Sequence, residues 1–130
     1  MKNFLLTICI IVGFTMTTKA SFDIYSDIEA AFKSGSSNAI ANYFGTTVDL
    51  TILSQEDVYS KAQAEIILKN FFAKNTPKTF TILHKGTSKE GAMYGIGSLQ
   101  TNQGLSFRAY FYLKQTNGKF VIQELRFEKQ

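Results

Sequence analysis

The residues able to do chemistry in this 130-residue chain are few, and they are scattered along it. His84 is the single histidine. It alternates with Phe80 and Ile82 on the more apolar side of a strand-like run, opposite Thr79, Thr81, Leu83 and Lys85. Alternation of that kind points it toward the core or the mouth of a cavity. Two roles fit such a residue: a histidine satisfied by a backbone carbonyl or water at a strand end, or a polar pocket contact and general base. Tyr94 and Gln123 are the other polar groups expected inside. Gly95 and Gly97 lie two apart on one strand face, where missing side chains either let the sheet bend or leave room for a ligand. His84, Tyr94, Gly95, Gly97 and Gln123 therefore form the candidate ligand-binding set, with His84 as the one candidate base.

Several chemistries fall away on residue type. Zinc takes three or four ligands, chiefly His and Cys, and beyond His84 the one other residue of those types is Cys9, inside the first twenty residues. No metal, cofactor or thiol catalysis is expected. A proton-shuffling enzyme needs a carboxylate or histidine inside an apolar pocket, where desolvation tunes its pKa. Asp49 and Glu124 fall on the outward sides of their strands, and the other acids sit on helix surfaces, in turns or at strand ends. One base without a carboxylate partner favours a non-enzymatic domain over a cofactor-independent isomerase or lyase.

Positioning these residues requires a folded unit, and the N-terminus is expected to lie outside it. Lys2 gives a basic start, Phe4 to Phe14 is an uncharged run dominated by apolar residues, and Thr18-Lys19-Ala20 ends in small residues at the positions a signal peptidase reads. The run is well short of the roughly 20 apolar residues a membrane span needs, and Ile8 before Cys9 is too large for lipoprotein processing. Residues 1–20 thus read as a cleaved secretory signal and 21–130 as a single domain. Its destination is periplasmic or secreted, with no membrane attachment after cleavage. Without Lys2 and Lys19 the formal charge drops from +4 to +2, and the remaining lysines are dispersed. Nucleic-acid binding has no electrostatic footprint.

Caps and turns place the elements. Asp23 to Lys33 carries Ile24, Ile28, Ala31 and Phe32 on one helical stripe and stops at Ser34-Gly35. A short helix from Ser36 or Ser37 brings Ile40, Tyr43 and Phe44 together and ends at Gly45. Val48, Leu50 and Ile52 alternate as a first strand. Ser60-Lys61-Ala62-Gln63 is a capping box opening a helix to about Ala73, with Ala64, Ile67, Leu68 and Phe71 inward. Four strand-like runs then fill Lys78 to Glu128. Helices feeding an antiparallel meander make an α+β domain in which each part covers the other's apolar face.

The last hairpin can be read to its register. A three-residue loop at Thr116-Asn117-Gly118 pairs Gln115 with Lys119, then Leu113 with Val121, Phe111 with Gln123, Ala109 with Leu125 and Phe107 with Phe127. A two-residue Asn-Gly loop would instead set Phe111 opposite Glu124 and Ala109 opposite Arg126, burying two charges, so the longer loop is expected. The far face then carries Arg108, Tyr110, Tyr112, Phe120, Ile122, Glu124 and Arg126. So many large groups on a solvent face suggest a contact surface, with a symmetric homodimer as the expected contact, unless the N-terminal segment covers Phe120 and Ile122.

The element order resembles the nuclear-transport-factor-2-like fold, a cone in which N-terminal helices pack on a strongly curved antiparallel sheet. More narrowly, Tyr59-Ser60-Lys61-Ala62-Gln63-Ala64-Glu65, Phe71-Phe72, His84-Lys85-Gly86, Tyr94-Gly95-Ile96-Gly97, Phe107-Arg108 and Ile122-Gln123-Glu124-Leu125-Arg126 resemble the exported bacterial domain-of-unknown-function family 4783. That family brings no assigned activity, so it implies no functional residues. The wider fold implies a pocket in the open end of the cone, used by some members for isomerase or dehydratase chemistry and by others for ligand or protein binding. Three expectations follow: a small, largely apolar ligand in the cone or a protein partner on the outer sheet; a cofactor-independent enzyme using His84; or a structural homodimer with a filled cone.

Overall fold

The computed structural model describes residues 23–130. The expected signal segment, with Cys9, lies outside the described residues. Helix α1 (Ile24–Ser34) starts at Asp23, whose carboxylate accepts the Tyr25 N–H at 3.0 Å, and ends at Gly35 with φ 69°. That left-handed φ is the conformation glycine supplies at a helix end. Helix α2 (Ser37–Ala41) is capped by Ser36, and α3 (Lys61–Lys74) by the Ser60 hydroxyl, which accepts the Gln63 N–H at 3.2 Å. The Ser60 cap stands where the sequence placed it, and α1 and α2 begin within a residue of their expected starts.

Six strands form one sheet: β1 (Phe44–Ile52), β2 (Gln55–Ser60), β3 (Pro77–Thr87), β4 (Met93–Thr101), β5 (Ser106–Thr116) and β6 (Lys119–Lys129). Their order is β2-β1-β6-β5-β4-β3. The meander β3 to β6 is as expected, and β1 joins it parallel to β6 while every other pair is antiparallel. Strand β2 was not anticipated. It is an edge strand of mostly exposed residues, so it lacks the apolar alternation that marks a half-buried strand.

Two β-bulges change which face several residues occupy. The β5–β6 turn is a two-residue Asn117-Gly118 loop with φ 52° and 77°, so Thr116 pairs with Lys119, the Asn-Gly arrangement a tight hairpin favours. Leu113 then pairs with Ile122 and Tyr112 with Glu124, leaving Gln123 as an extra residue. That insertion resolves the conflict that had excluded the short loop: beyond it Phe111 faces Leu125 and Ala109 faces Phe127, so neither Glu124 nor Arg126 enters the inner face. A second bulge falls between Ile82, opposite Gly97, and His84, opposite Ile96. The extra residue is Leu83, exposed at 56%, and beyond it the inward and outward positions exchange.

The helices cover the inner face. Phe32 stacks on Phe80 with centroids 4.6 Å apart, and Phe71 lies 4.9 Å from Phe127 and 5.2 Å from Phe107. Helix α1 is also pinned to the sheet by polar contacts. Tyr25 donates its hydroxyl to the carbonyls of Tyr94 and Gly86 at 2.9 and 3.2 Å, and the Glu29 carboxylate accepts the Ile82 N–H beside the bulge at 3.1 Å.

Candidate functional site

The expected ligand-binding set does not converge. Gly95 and Gly97 do share the inner face, but the space above them is taken. A Cβ on Gly95 would lie 2.2 Å from the Phe111 ring, and one on Gly97 would lie 2.4 Å from Phe80. The glycines therefore make room for neighbouring rings. His84, expected toward the core, is exposed, because the Leu83 bulge sets it across from Ile96 on the outer face. Among the described residues it makes no side-chain hydrogen bond. Tyr94 also turns outward, its ring lying over Gly86 and stacked on Tyr110 at 6.4 Å. Gln123 is exposed at its bulge.

The bulge at Gln123 likewise divides the expected contact surface. Ile122 is fully buried opposite Leu113, and Phe120 packs against the edge of the core; neither belongs to the outer face. Arg108, Tyr110, Tyr112, Glu124 and Arg126 do, and Tyr94, Ile96, Asp49 and Thr51 join them. One row across the sheet reads Asp49, Glu124, Tyr112, Tyr94, and the next Thr51, Arg126, Tyr110, Ile96.

This face is polar at one end and aromatic at the other. Arg126 donates from Nη2 to Glu124 Oε1 at 2.9 Å. Yet Asp49 Oδ1, Thr51 Oγ1 and Arg126 Nε are buried without hydrogen-bond partners, a costly condition for polar atoms. Burial, reinforced by Glu124 and Tyr112, pushes the Tyr110 phenol above its ordinary pKa, so at neutral pH it remains a hydrogen-bond donor. No sequence signal placed Asp49 and Thr51 beside Arg126, because a parallel β1–β6 pairing carries no local turn that announces it.

A groove of about 890 Å³ opens at the end of the sheet. Strand β1 pairs with β6 at Phe44–Ile122 and again from Asp49–Glu124, so Gly45 to Val48 splay away. The opening is bordered by Gly45, Thr47, Lys61, Lys119 and Gln123. The Ser60 hydroxyl at its rim is already engaged in the α3 cap, and the unpartnered buried atoms lie elsewhere. Among the described residues, no group of three or more His, Cys, Asp or Glu could hold a metal, and no helix is long and apolar enough to cross a membrane.

Comparisons with known proteins agree with this geometry. Residues 25–128 match the family described as "Domain of unknown function (DUF4783)". A crystal structure of a family protein from Bacteroides fragilis is 30% identical, with a TM-score of 0.76 over 83% of this chain and 100% of that one. Another from Bacteroides uniformis is 29% identical, with a TM-score of 0.77 over 83% and 98%. A protein of unknown function from Shewanella baltica described as ntf2-like is 14% identical, with a TM-score of 0.59 over 82% and 87%. At that distance the likeness establishes the nuclear-transport-factor-2-like fold alone. None of the curated proteins matches the chain. The chain is a member of the DUF4783 family and has the α+β, nuclear-transport-factor-2-like architecture.

Proposed function

We propose that this domain is an exported, non-enzymatic binding module that engages a protein partner through its outer sheet face. One observation carries the reading. The inner space a small ligand would use is occupied by Phe80 and Phe111 over the two glycines, whereas the outer face presents half-buried Tyr94, Ile96, Tyr110 and Tyr112 beside buried polar atoms without partners. A partner covering those rings and hydrogen-bonding their phenols would bury the apolar surface they expose. The basic, apolar and small-residue segments of 1–20 support export. The alternative, an enzyme with His84 as base, is weakened by that residue's exposure on the outer sheet.

The test places a photo-crosslinking amino acid at position 110 and, as a control, at Ile66, which is 59% exposed on α3. In the cell that makes the protein, irradiation is expected to give a discrete covalent adduct from position 110 and none from 66. Absence of an adduct at 110 would overturn the reading, and so would a bound small molecule surviving in the native mass spectrum of protein purified from that cell.

A further inference from the structure

We infer that the groove between β1 and β6 docks an extended, acidic segment of a protein. None of its lining residues belongs to the outer-face rows, so this inference stands apart from the partner proposed there.

The backbone gives the first reason. Between the rungs Phe44–Ile122 and Asp49–Glu124, strand β1 sets four residues against Gln123 alone. Thr47 and Val48 still pair with β2, at Ser60 and Tyr59, but Gly45 and Thr46 have no rung on either side. Gly45, Thr46 and Thr47 all keep some exposure, so strand backbone borders the groove without a strand beside it. An extended peptide can pair with such an edge. Gly45 points the same way. Every other described glycine has either a left-handed φ or an aromatic ring within 3.0 Å of where its Cβ would stand. A Cβ on Gly45 would meet the Thr47 carbonyl oxygen at 3.4 Å and Val121 Cγ2 at 3.6 Å, which are ordinary contacts. The fold itself would accept alanine here, and a bare backbone in a strand also marks where another backbone comes close.

Charge identifies the occupant. Lys61 and Lys119 reach the groove from separate elements, the start of α3 and the β5–β6 hairpin, and no acidic residue lines it. Both lysines are exposed, and among the described residues Arg126–Glu124 is the only salt bridge. Lys61 holds the first position of α3, whose first turn carries no acid. A cation there opposes the helix dipole, so helix stability gives no reason for it. Phe44, Ala62 and Val121 add apolar lining. An extended segment that alternates acidic and apolar residues offers carboxylates to the lysines on one side and apolar groups to that lining on the other. A small ligand needs a cavity that encloses most of its surface, whereas this groove of about 890 Å³ is open.

Fluorescence anisotropy with a fluorescein-labelled Glu-Val-Glu-Val-Glu-Val peptide tests this. Wild type is expected to bind it with an affinity that falls as salt is raised, and to bind the Gln-Val-Gln-Val-Gln-Val peptide more weakly. Lys61→Gln and Lys119→Gln are each expected to weaken binding about three- to fivefold, the worth of one exposed ion pair. Their urea midpoints should stay at the wild-type value or, for Lys61→Gln, rise, so that lost binding is not lost fold. Gly45→Ala is expected to keep the wild-type circular dichroism spectrum and yet bind the peptide more weakly, because its methyl takes room from the incoming backbone. No binding by wild type, or equal binding of the glutamine peptide, overturns the inference. So do phosphatidylglycerol vesicles that bind where the peptide does not, since they would put a membrane surface in place of a protein segment. Unchanged affinity in Gly45→Ala overturns the pairing along β1. The adduct at position 110 decides the outer-face reading separately.

Discussion

The two faces of this sheet are built from the same strands and solve opposite problems. On the inner face the gaps left by two glycines are filled: Phe111 occupies the place of a Gly95 side chain, Phe80 that of Gly97, and Phe32 stacks on Phe80. On the outer face, a single residue away along each strand, tyrosines stand half-exposed and three buried polar atoms lack partners. A core excludes both voids and unpaired polar groups, so the inner face carries the stability of the domain. The outer face leaves tyrosines and charged groups within reach of another molecule.

Substitutions on one hairpin separate the two roles most sharply. Ile122 is fully buried and inward, so Ile122→Glu places an uncompensated carboxylate in the core, at a cost on the order of 3–5 kcal/mol. Tyr112→Glu, on the outer face, should cost the monomer under about 1 kcal/mol. Urea midpoints at a concentration low enough to keep both proteins monomeric check this. Equal losses would mean that the face assignment around the Gln123 bulge is wrong.

The next effect in size sharpens the claim that glycine and ring fit each other. Gly95→Ala forces a methyl against Phe111 and should cost about 1–3 kcal/mol. In a Phe111→Leu background the added methyl has somewhere to go, and the cost of Gly95→Ala should fall by more than half. Additive losses in this double-mutant cycle would show that Gly95 is required for backbone reasons and not for the ring.

Much of this architecture was legible in the residues. The Asp23, Ser36 and Ser60 caps are local events within a few residues of chain, and the α3 stripe follows from a fixed helical period. The face of each strand was harder, because alternation holds only while no residue is inserted. Phe80, Ile82 and His84 look like one continuous face, yet the Leu83 bulge ends it and sends His84 outward. In β6 a signal was present: the buried residues Ile122, Leu125 and Phe127 are spaced three and then two apart, and a spacing of three in a strand marks an insertion. The candidate site depended on those faces. His84 and Gln123 moved outward with their bulges, and Asp49 came opposite Glu124, and Thr51 opposite Arg126, through a parallel pairing that no hairpin turn could reveal.

The smallest expected effect concerns how α1 is held to the inner face. Tyr25 donates to the Tyr94 and Gly86 carbonyls, and burial pushes its phenol above the ordinary value of 10.0. A group whose folded pKa is raised contributes stability that is fully present below its unfolded pKa and is lost as pH rises through the folded one. Tyr25→Phe should therefore cost about 1 kcal/mol at pH 8, where the phenol donates in the wild type. At pH 11 the gap between the two proteins should narrow, because the wild-type phenol is then losing the proton it donates. Tyr43 and Tyr110, whose phenols are also raised by burial, titrate in both proteins and cancel in the difference. Urea midpoints of wild type and Tyr25→Phe at the two pH values measure it. A gap that stays constant would mean that Tyr25 holds α1 by ring packing against Phe111, 6.2 Å away, and that its hydroxyl contributes little.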